Sequence, residues 1–262
     1  MLKNALNGNG AIIYRGPSML DGSPIVAIAI GLKTRSKNAK TGSMLQTYIL
    51  RDDMDPLAAV NSGADSSICG DCVYRGVVIE GKNKKRRCYV NLGQGPLGVF
   101  KAFSRGRYAY LGDDINAVKT IGNKRLVRLG TYGDPAAVPL YIWDALLSLS
   151  TGHTGYTHQW RTRPELKTIC MASADNEQDR VDAKSSGWRT FRVAMPNHTA
   201  RIKGEAVCPA SKEAGKKLVC ETCLSCSGAG SRRSGDIVIQ AHGSAPIMKN
   251  IREAVQLRGT LA

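Results

Sequence analysis

Short apolar runs separated by polar turns mark the first sixty residues. "PIVAIAIGL" (residues 24–32) and "MLQTYIL" (residues 44–50) have strand length and branched side chains. The basic stretch between them, "KTRSKNAKTGS", ends near a turn-forming Thr-Gly pair. The two runs predict a hairpin with a long cationic tip, which could track a phosphate backbone or simply be solvated. Residues 1–60 are thus read as a β-rich N-terminal region. In the next segment "GVVIEG" is strand-like and the Gly-rich "NLGQGPLG" is a loop. That loop lacks both Gly-x-Gly-x-x-Gly and the P-loop lysine, so it is not read as a nucleotide cradle.

From Lys124 the period changes. "KRLVRLG" reads as a strand, and "AAVPLYIWDALLSLS" repeats apolar residues at helical spacing through Val138, Tyr141, Ile142, Ala145 and Leu146. "GYTHQW", "KTICMASAD", "WRTFRVAM", "AVCPAS" and "GDIVIQAH" read as further strands. "NEQDRVDAKSSG" reads as a helix closed by Gly187, and "PIMKNIREAVQLRG" as a last helix. Strands alternating with helices imply parallel βα units. The expected fold class is α/β. Residues 61–262 form a (β/α) barrel-like domain, complete or incomplete, with a Cys-rich metal-binding insertion; a doubly wound sheet is the alternative.

Composition adds a partner. The chain has 262 residues, 42% of them hydrophobic and 22% charged, and a formal net charge of +16. Such a surplus suits a polyanion, most simply nucleic acid. No stretch approaches the roughly 18–20 apolar residues of a membrane span. The opening "MLKNALNGNG" has no secretory pattern, so the expected place is intracellular. Thiols stay reduced there, which makes the eight cysteines candidates for metal binding. Six fall in two clusters: Cys69, Cys72 and Cys88, and Cys220, Cys223 and Cys226.

A Cys-x2-Cys turn lets two thiolates reach one ion. Cys220, Cys223 and Cys226 would supply three zinc ligands, with His242 or Cys208 as the fourth. Iron or an iron–sulfur cluster would also accept an all-thiolate set. Cys69, Cys72 and Cys88 make a possible second site, completed by Cys170 or Cys208.

Reactive groups in parallel βα folds gather at strand carboxyl ends. Asp134, in "LGTYGDP", is a candidate nucleophile or general base, or else a helix cap. Tyr156, His158 and Trp160 alternate with Thr157 and Gln159, and these aromatic, imidazole and amide groups suit a nucleobase. Core packing of Tyr156 and Trp160 is the bland alternative. Asp175 ends "CMASAD" as a second candidate carboxylate, or as an N-cap. Lys84, Lys85, Arg86, Arg87, Arg161 and Arg163 are candidates to hold a nucleic-acid backbone.

The segments "VRLGTYGDPAAVPLYIWDAL", "TGYTHQW", "CMASAD", "GWRTFRVA", "VCPAS" and "CETCLSC" resemble a family of cysteine-rich bacteriophage proteins over roughly the second half of the chain. More distantly, the chain is similar to the tRNA-guanine transglycosylases and their phage DNA-modifying relatives. Those are zinc-bearing (β/α) barrels that exchange guanine for a 7-deazaguanine base through an aspartate nucleophile. The resemblance implies zinc on Cys220, Cys223, Cys226 and His242. It also implies DNA rather than RNA as polymer, a modified guanine base as second substrate, and the cytoplasm of an infected bacterial host. That family spaces its thiols Cys-x-Cys-x2-Cys, against Cys-x2-Cys-x2-Cys here, and Arg192 stands where its nucleophilic aspartate falls. Asp134 is therefore the first choice for the attacking carboxylate. The non-enzymatic alternative is a zinc-stabilised nucleic-acid-binding protein of phage replication or expression.

Overall fold

The apolar run at residues 24–32 becomes a central strand of a six-stranded sheet. The computed structural model describes residues 8–36, 38–195, 201–215, 218–230 and 235–259, with side chains to residue 253. Residues 1–7 of the β-rich region, Lys37 in the cationic loop and the last side chains of the C-terminal helix lie outside that set. Strand β2 (Pro24–Ile30) runs antiparallel to both of its neighbours, β1 (Gly10–Pro17) and β3 (Leu45–Arg51). Ile25 to Ala29 of β2 are all fully buried, as a strand covered on both faces requires.

Between residues 56 and 122 the chain is more helical than its pattern predicts. Helices α1 (Pro56–Ser62) and α2 (Ser66–Cys69) precede a two-stranded hairpin, β4 (Val77–Ile79) with β5 (Lys82–Lys84). The expected glycine-rich loop then gives way to α3 (Gly95–Ser104). Pro96 occupies its first turn, where a missing N–H costs nothing, and Val99 turns inward. Strand β6 (Ala109–Tyr110) and α4 (Ile115–Gly122) follow; Asp114 caps α4 by accepting from the N–H groups of Asn116 and Ala117.

The predicted alternation of strand and helix holds after Lys124. It comprises β7 (Leu126–Tyr132), a 3-10 turn (Pro135–Ala137), α5 (Leu140–Leu147), β8 (Gly152–Thr154) and β9 (Tyr156–Thr157). After a second 3-10 turn come β10 (Met171–Ala174), α6 (Glu177–Ser185), β11 (Thr190–Ala194) and β12 (Glu205–Val207). The chain ends with α7 (Cys220–Cys223), β13 (Asp236–Gln240) and α8 (Ala245–Gly259). The large sheet has the order β6-β1-β2-β3-β7-β8 and the second β12-β13-β11-β10-β9. Every pairing in the second sheet is parallel. The protein is therefore a mixed α/β structure with parallel sheets and helices. One sheet crosses the boundary drawn at residue 60, because β3 pairs with β7.

Gly155 links the two sheets. Its N–H donates to Cys226 O at 2.9 Å and its carbonyl accepts from Met171 N at 3.0 Å. A Cβ there would stand 2.9 Å from Cys170 Sγ, so the crossover needs glycine. Gly122 has a comparable constraint where α4 meets α5: an added Cβ would overlap the Leu146 carbonyl oxygen. Gly122→Ala should therefore force the helices apart and cost about 1–3 kcal/mol, read as a lower denaturant midpoint at an unchanged slope.

Candidate functional site

Parallel strands point their carboxyl ends the same way, and a crevice outside those ends is where α/β folds bind ligands. A cavity of about 270 Å³ opens there. It is lined from β7 by Arg128 and the following Asp134, from β9 by Tyr156 and the following His158, and from β10 by Ser173 and the following Asp175. Phe191 and Val193 of β11 and Ile239 of β13 supply apolar wall.

Local structure explains why Asp175 is presented. Asn176 N-caps α6 by accepting from Asp179 N, and Asp179 in turn accepts from Asp175 N at 3.1 Å. The Asp175 backbone is thus fixed, and its carboxylate turns toward the cavity. Its Oδ1 lies 3.4 Å from His158 Nε2. Tyr74 lines the cavity beside this carboxylate; burial, then the Asp175 and Cys72 charges, push the pKa of its hydroxyl upward. Tyr74 meets the His158 ring edge-on at 5.8 Å.

Asp134 has a different setting. It is buried, its Oδ1 accepts from Ala136 N at 2.9 Å, and its Oδ2 accepts from His158 N at 2.8 Å. It caps the 3-10 turn and clamps the backbone of His158. Burial raises its pKa above the ordinary carboxylate value, against the pull of these N–H groups, the His158 charge and the Thr157 hydroxyl. For His158, burial favours the neutral ring, but Cys72 and Asp175 outweigh it and hold the pKa well above the usual imidazole range.

The strand in "GYTHQW" ends at Thr157, which separates its candidates. Tyr156 and His158 reach the cavity. Gln159 turns inward, its amide 3.4 Å from Cys69 O, and Trp160 is buried in the core with Arg161 stacked on it at 3.8 Å. The basic candidates divide as well. Arg161 pairs with Asp179 and Asp182, Arg163 with Glu165, and Arg86 donates to Cys88 O and Val90 O. Arg87 donates to Val73 O and lies 5.9 Å from the Tyr74 ring on the cavity wall. Lys84 and Lys85 are exposed on the hairpin.

Cys69, Cys72, Cys88, Cys208 and Cys220 border the same cavity. Cys72 N donates to Cys69 O at 3.2 Å, the β4–β5 hairpin returns the chain, and Cys88 N donates to Tyr74 O at 2.9 Å. Cys72 Sγ is 3.8 Å from His158 Nε2. Across the cavity Cys208 and Cys226 pack in a small core with Met171, Ile237 and Ile239. Burial pushes Cys226 up to about 12, and nearby Cys208, Cys220 and Cys223 push the same way against a Tyr156 hydrogen bond. Cys208 thus packs in one small core with Cys226. His242 instead stacks on Tyr89 at 5.2 Å and bonds Gln240 O through Nδ1. Cys170 is buried in the large core. In kind, either thiol set suits zinc or iron. In arrangement, no three His, Cys, Asp or Glu side chains among the described residues converge to hold an ion.

Sequence pattern passed over Tyr74, Tyr89, Phe191 and Arg128, whereas Lys40 lies in the cationic loop read from that pattern as a candidate phosphate contact. Of those four, Arg128 alone carried a signal, as a charge set between the apolar Val127 and Leu129 of a strand. No helix among the described residues is long and apolar enough to cross a membrane. Comparison with protein-family models, curated proteins and solved structures finds no match.

Proposed function

We propose that the protein is a base-exchange transglycosylase that replaces guanine in DNA with a 7-deazaguanine derivative, acting in the cytoplasm of a phage-infected bacterium. The observation that carries this reading is the convergence of Asp175, His158 and Asp134 in one cavity beside Tyr74, Tyr156 and Phe191. Aromatic walls suit a flipped-out base, and a carboxylate beside them suits its glycosidic carbon. In this scheme Asp175 attacks C1′, the C1′–N9 bond breaks with its electron pair on N9, and the departing guanine takes a proton from water. The hydroxide so formed takes the N9 proton of the incoming 7-deazaguanine, which bonds to C1′ and releases the carboxylate. Asp175 is preferred to Asp134 as nucleophile because both Asp134 oxygens already accept buried backbone N–H groups. Asp134 is then a positioning residue for His158, and His158 orients Asp175. The parallel run from β7 to β13, interleaved with helices, is read as an incomplete (β/α) barrel.

The test is mass spectrometry of nucleosides from the DNA of bacteria expressing the chain. A deazaguanosine present with wild type and absent with Asp175→Asn is expected. Unmodified DNA in a host that supplies the deazaguanine base would overturn the proposal. Structural zinc on Cys208, Cys220, Cys223 and Cys226 is proposed with the same reading; these side chains do not converge as they stand and would have to close around the ion. Elemental analysis should find about one zinc per chain at that set, lost in Cys226→Ser and kept in His242→Ala; metal-free wild type would sink it.

One feature favours a second reading, nucleic-acid binding without catalysis. Val77 pairs with Lys84 and Ile79 with Lys82 across the β4–β5 hairpin, so two exposed apolar side chains share a face with two lysines. Retained DNA affinity with no base exchange under any substrate supply would select it.

A further inference from the structure

The cavity has a second pole, opposite in charge to Asp134 and Asp175. On β7, Val127 and Leu129 are fully buried in the large core, so Arg128 projects from the other face, into the cavity. Its register places it mid-sheet, opposite Gln46 of β3 and Thr154 of β8. Lys40 reaches the same end. Its carbonyl accepts from Cys220 N at 2.9 Å, which fixes its loop there.

Other inward-facing arginines in this protein have acceptors. Arg75 pairs with Asp65, Arg192 with Glu205, and Arg180 with Glu205 and Asp236. Arg189 donates to the carbonyls of Ser225, Gly228 and Gly235. Among the described residues the Arg128 guanidinium lies 5.5 Å from the Tyr156 ring, and Tyr156, Tyr89 and Cys220 are the groups whose charges act on it. Among the described residues no carboxylate forms an ion pair with Arg128 or Lys40. A half-desolvated guanidinium that faces a thiol and phenols but no carboxylate can still take an anion, and its planar fork matches phosphate oxygens.

We infer that Arg128 and Lys40 form a phosphate subsite inside the cavity, which holds the phosphate of a nucleotide whose sugar and base reach toward Asp175. The inference rests on the nucleobase reading above and adds that the cavity prefers a phosphorylated ligand to a nucleoside. The two poles fix its direction: the carboxylates repel phosphate from one end and the cations hold it at the other. The same phosphate chemistry could come from a free mononucleotide or from the strand itself.

Calorimetric titration of the full chain distinguishes these cases. The probes are deoxyguanosine, its 5′-monophosphate, inorganic phosphate and a short single-stranded oligodeoxynucleotide. Wild type should bind the monophosphate at least about tenfold more tightly than the nucleoside, consistent with one charge-assisted contact. Inorganic phosphate should compete. Arg128→Gln should erase the preference, Lys40→Gln should reduce it, and Arg128→Lys should retain part of it. An oligonucleotide that binds while the monophosphate does not would assign the subsite to the strand, provided Arg128→Gln then weakens it and flattens its salt dependence. Equal binding of nucleoside and monophosphate, with an oligonucleotide indifferent to Arg128→Gln, overturns the subsite. So does a preference that survives Arg128→Gln, or loss of bound metal in that variant with selectivity intact, since the guanidinium would then be balancing thiolates. Thermal melts confirm that each variant is folded. Base exchange without phosphate preference removes the subsite alone; phosphate preference without base exchange removes the enzymatic reading alone.

Discussion

Asp175→Asn should abolish incorporation of labelled deazaguanine into DNA, with a fall of about 10³–10⁶-fold in turnover, the range seen when a nucleophile is removed. Asparagine is nearly isosteric and can keep contacts to His158 and Tyr74, so the melting temperature should hardly move. DNA affinity should also survive, because the phosphate contacts lie elsewhere. The result separates the two carboxylates. If Asp175→Asn turns over at the wild-type rate while Asp134→Asn is dead and folded, the roles assigned above are reversed. His158→Gln should fall between these extremes, since the oriented carboxylate would remain but lose the partner 3.4 Å away.

Asp134→Ala should act first on stability. It removes the acceptor for Ala136 N and for His158 N together, within a buried site. Each orphaned buried N–H costs on the order of 1–3 kcal/mol, so the pair should cost about 2–5 kcal/mol in denaturant unfolding. An unchanged unfolding free energy would show that neither bond matters. The pH dependence has a definite sign. Burial raises the folded pKa of Asp134, so the folded state holds its proton more tightly than the unfolded chain does. The stability gained from that proton is full below the unfolded carboxylate value of about 3.9 and is lost as pH rises through the folded value. Asp134→Asn, which does not titrate, should flatten the stability profile across that acidic window. A profile identical to wild type would contradict the burial argument.

Much of the scaffold was legible in the chain. The run at 24–32 and its partner at 44–50 do form an antiparallel pair, because branched residues in unbroken apolar runs have little choice but a covered sheet. The helical spacing from Val138 gives Leu140–Leu147, and the helix before Gly187 ends at Ser185, with Gly187 at positive φ. Strand β1 and helices α1 to α4 were not legible. "NLGQGPLG" looked like a loop because its glycines hide a helix start that Pro96 and the packing of Val99 create.

The sequence by itself determined the alternation of strands and helices, the basic charge and the supply of thiols, imidazoles and carboxylates. These are properties of local pattern and composition, and they need no knowledge of neighbours. Tertiary structure decided which of those groups meet. It packed Cys208, twelve residues before Cys220, in one small core with Cys226 and set His242 against the Tyr89 ring. It bound both oxygens of Asp134 to backbone and left Asp175 facing the cavity. It aimed Arg128 into that cavity, where no carboxylate among the described residues forms an ion pair with it. The physical reason is the same in each case. Whether a polar side chain is spent on the fold or left for a ligand depends on what faces it across strands distant in sequence, and sheet register fixes that only when the chain folds.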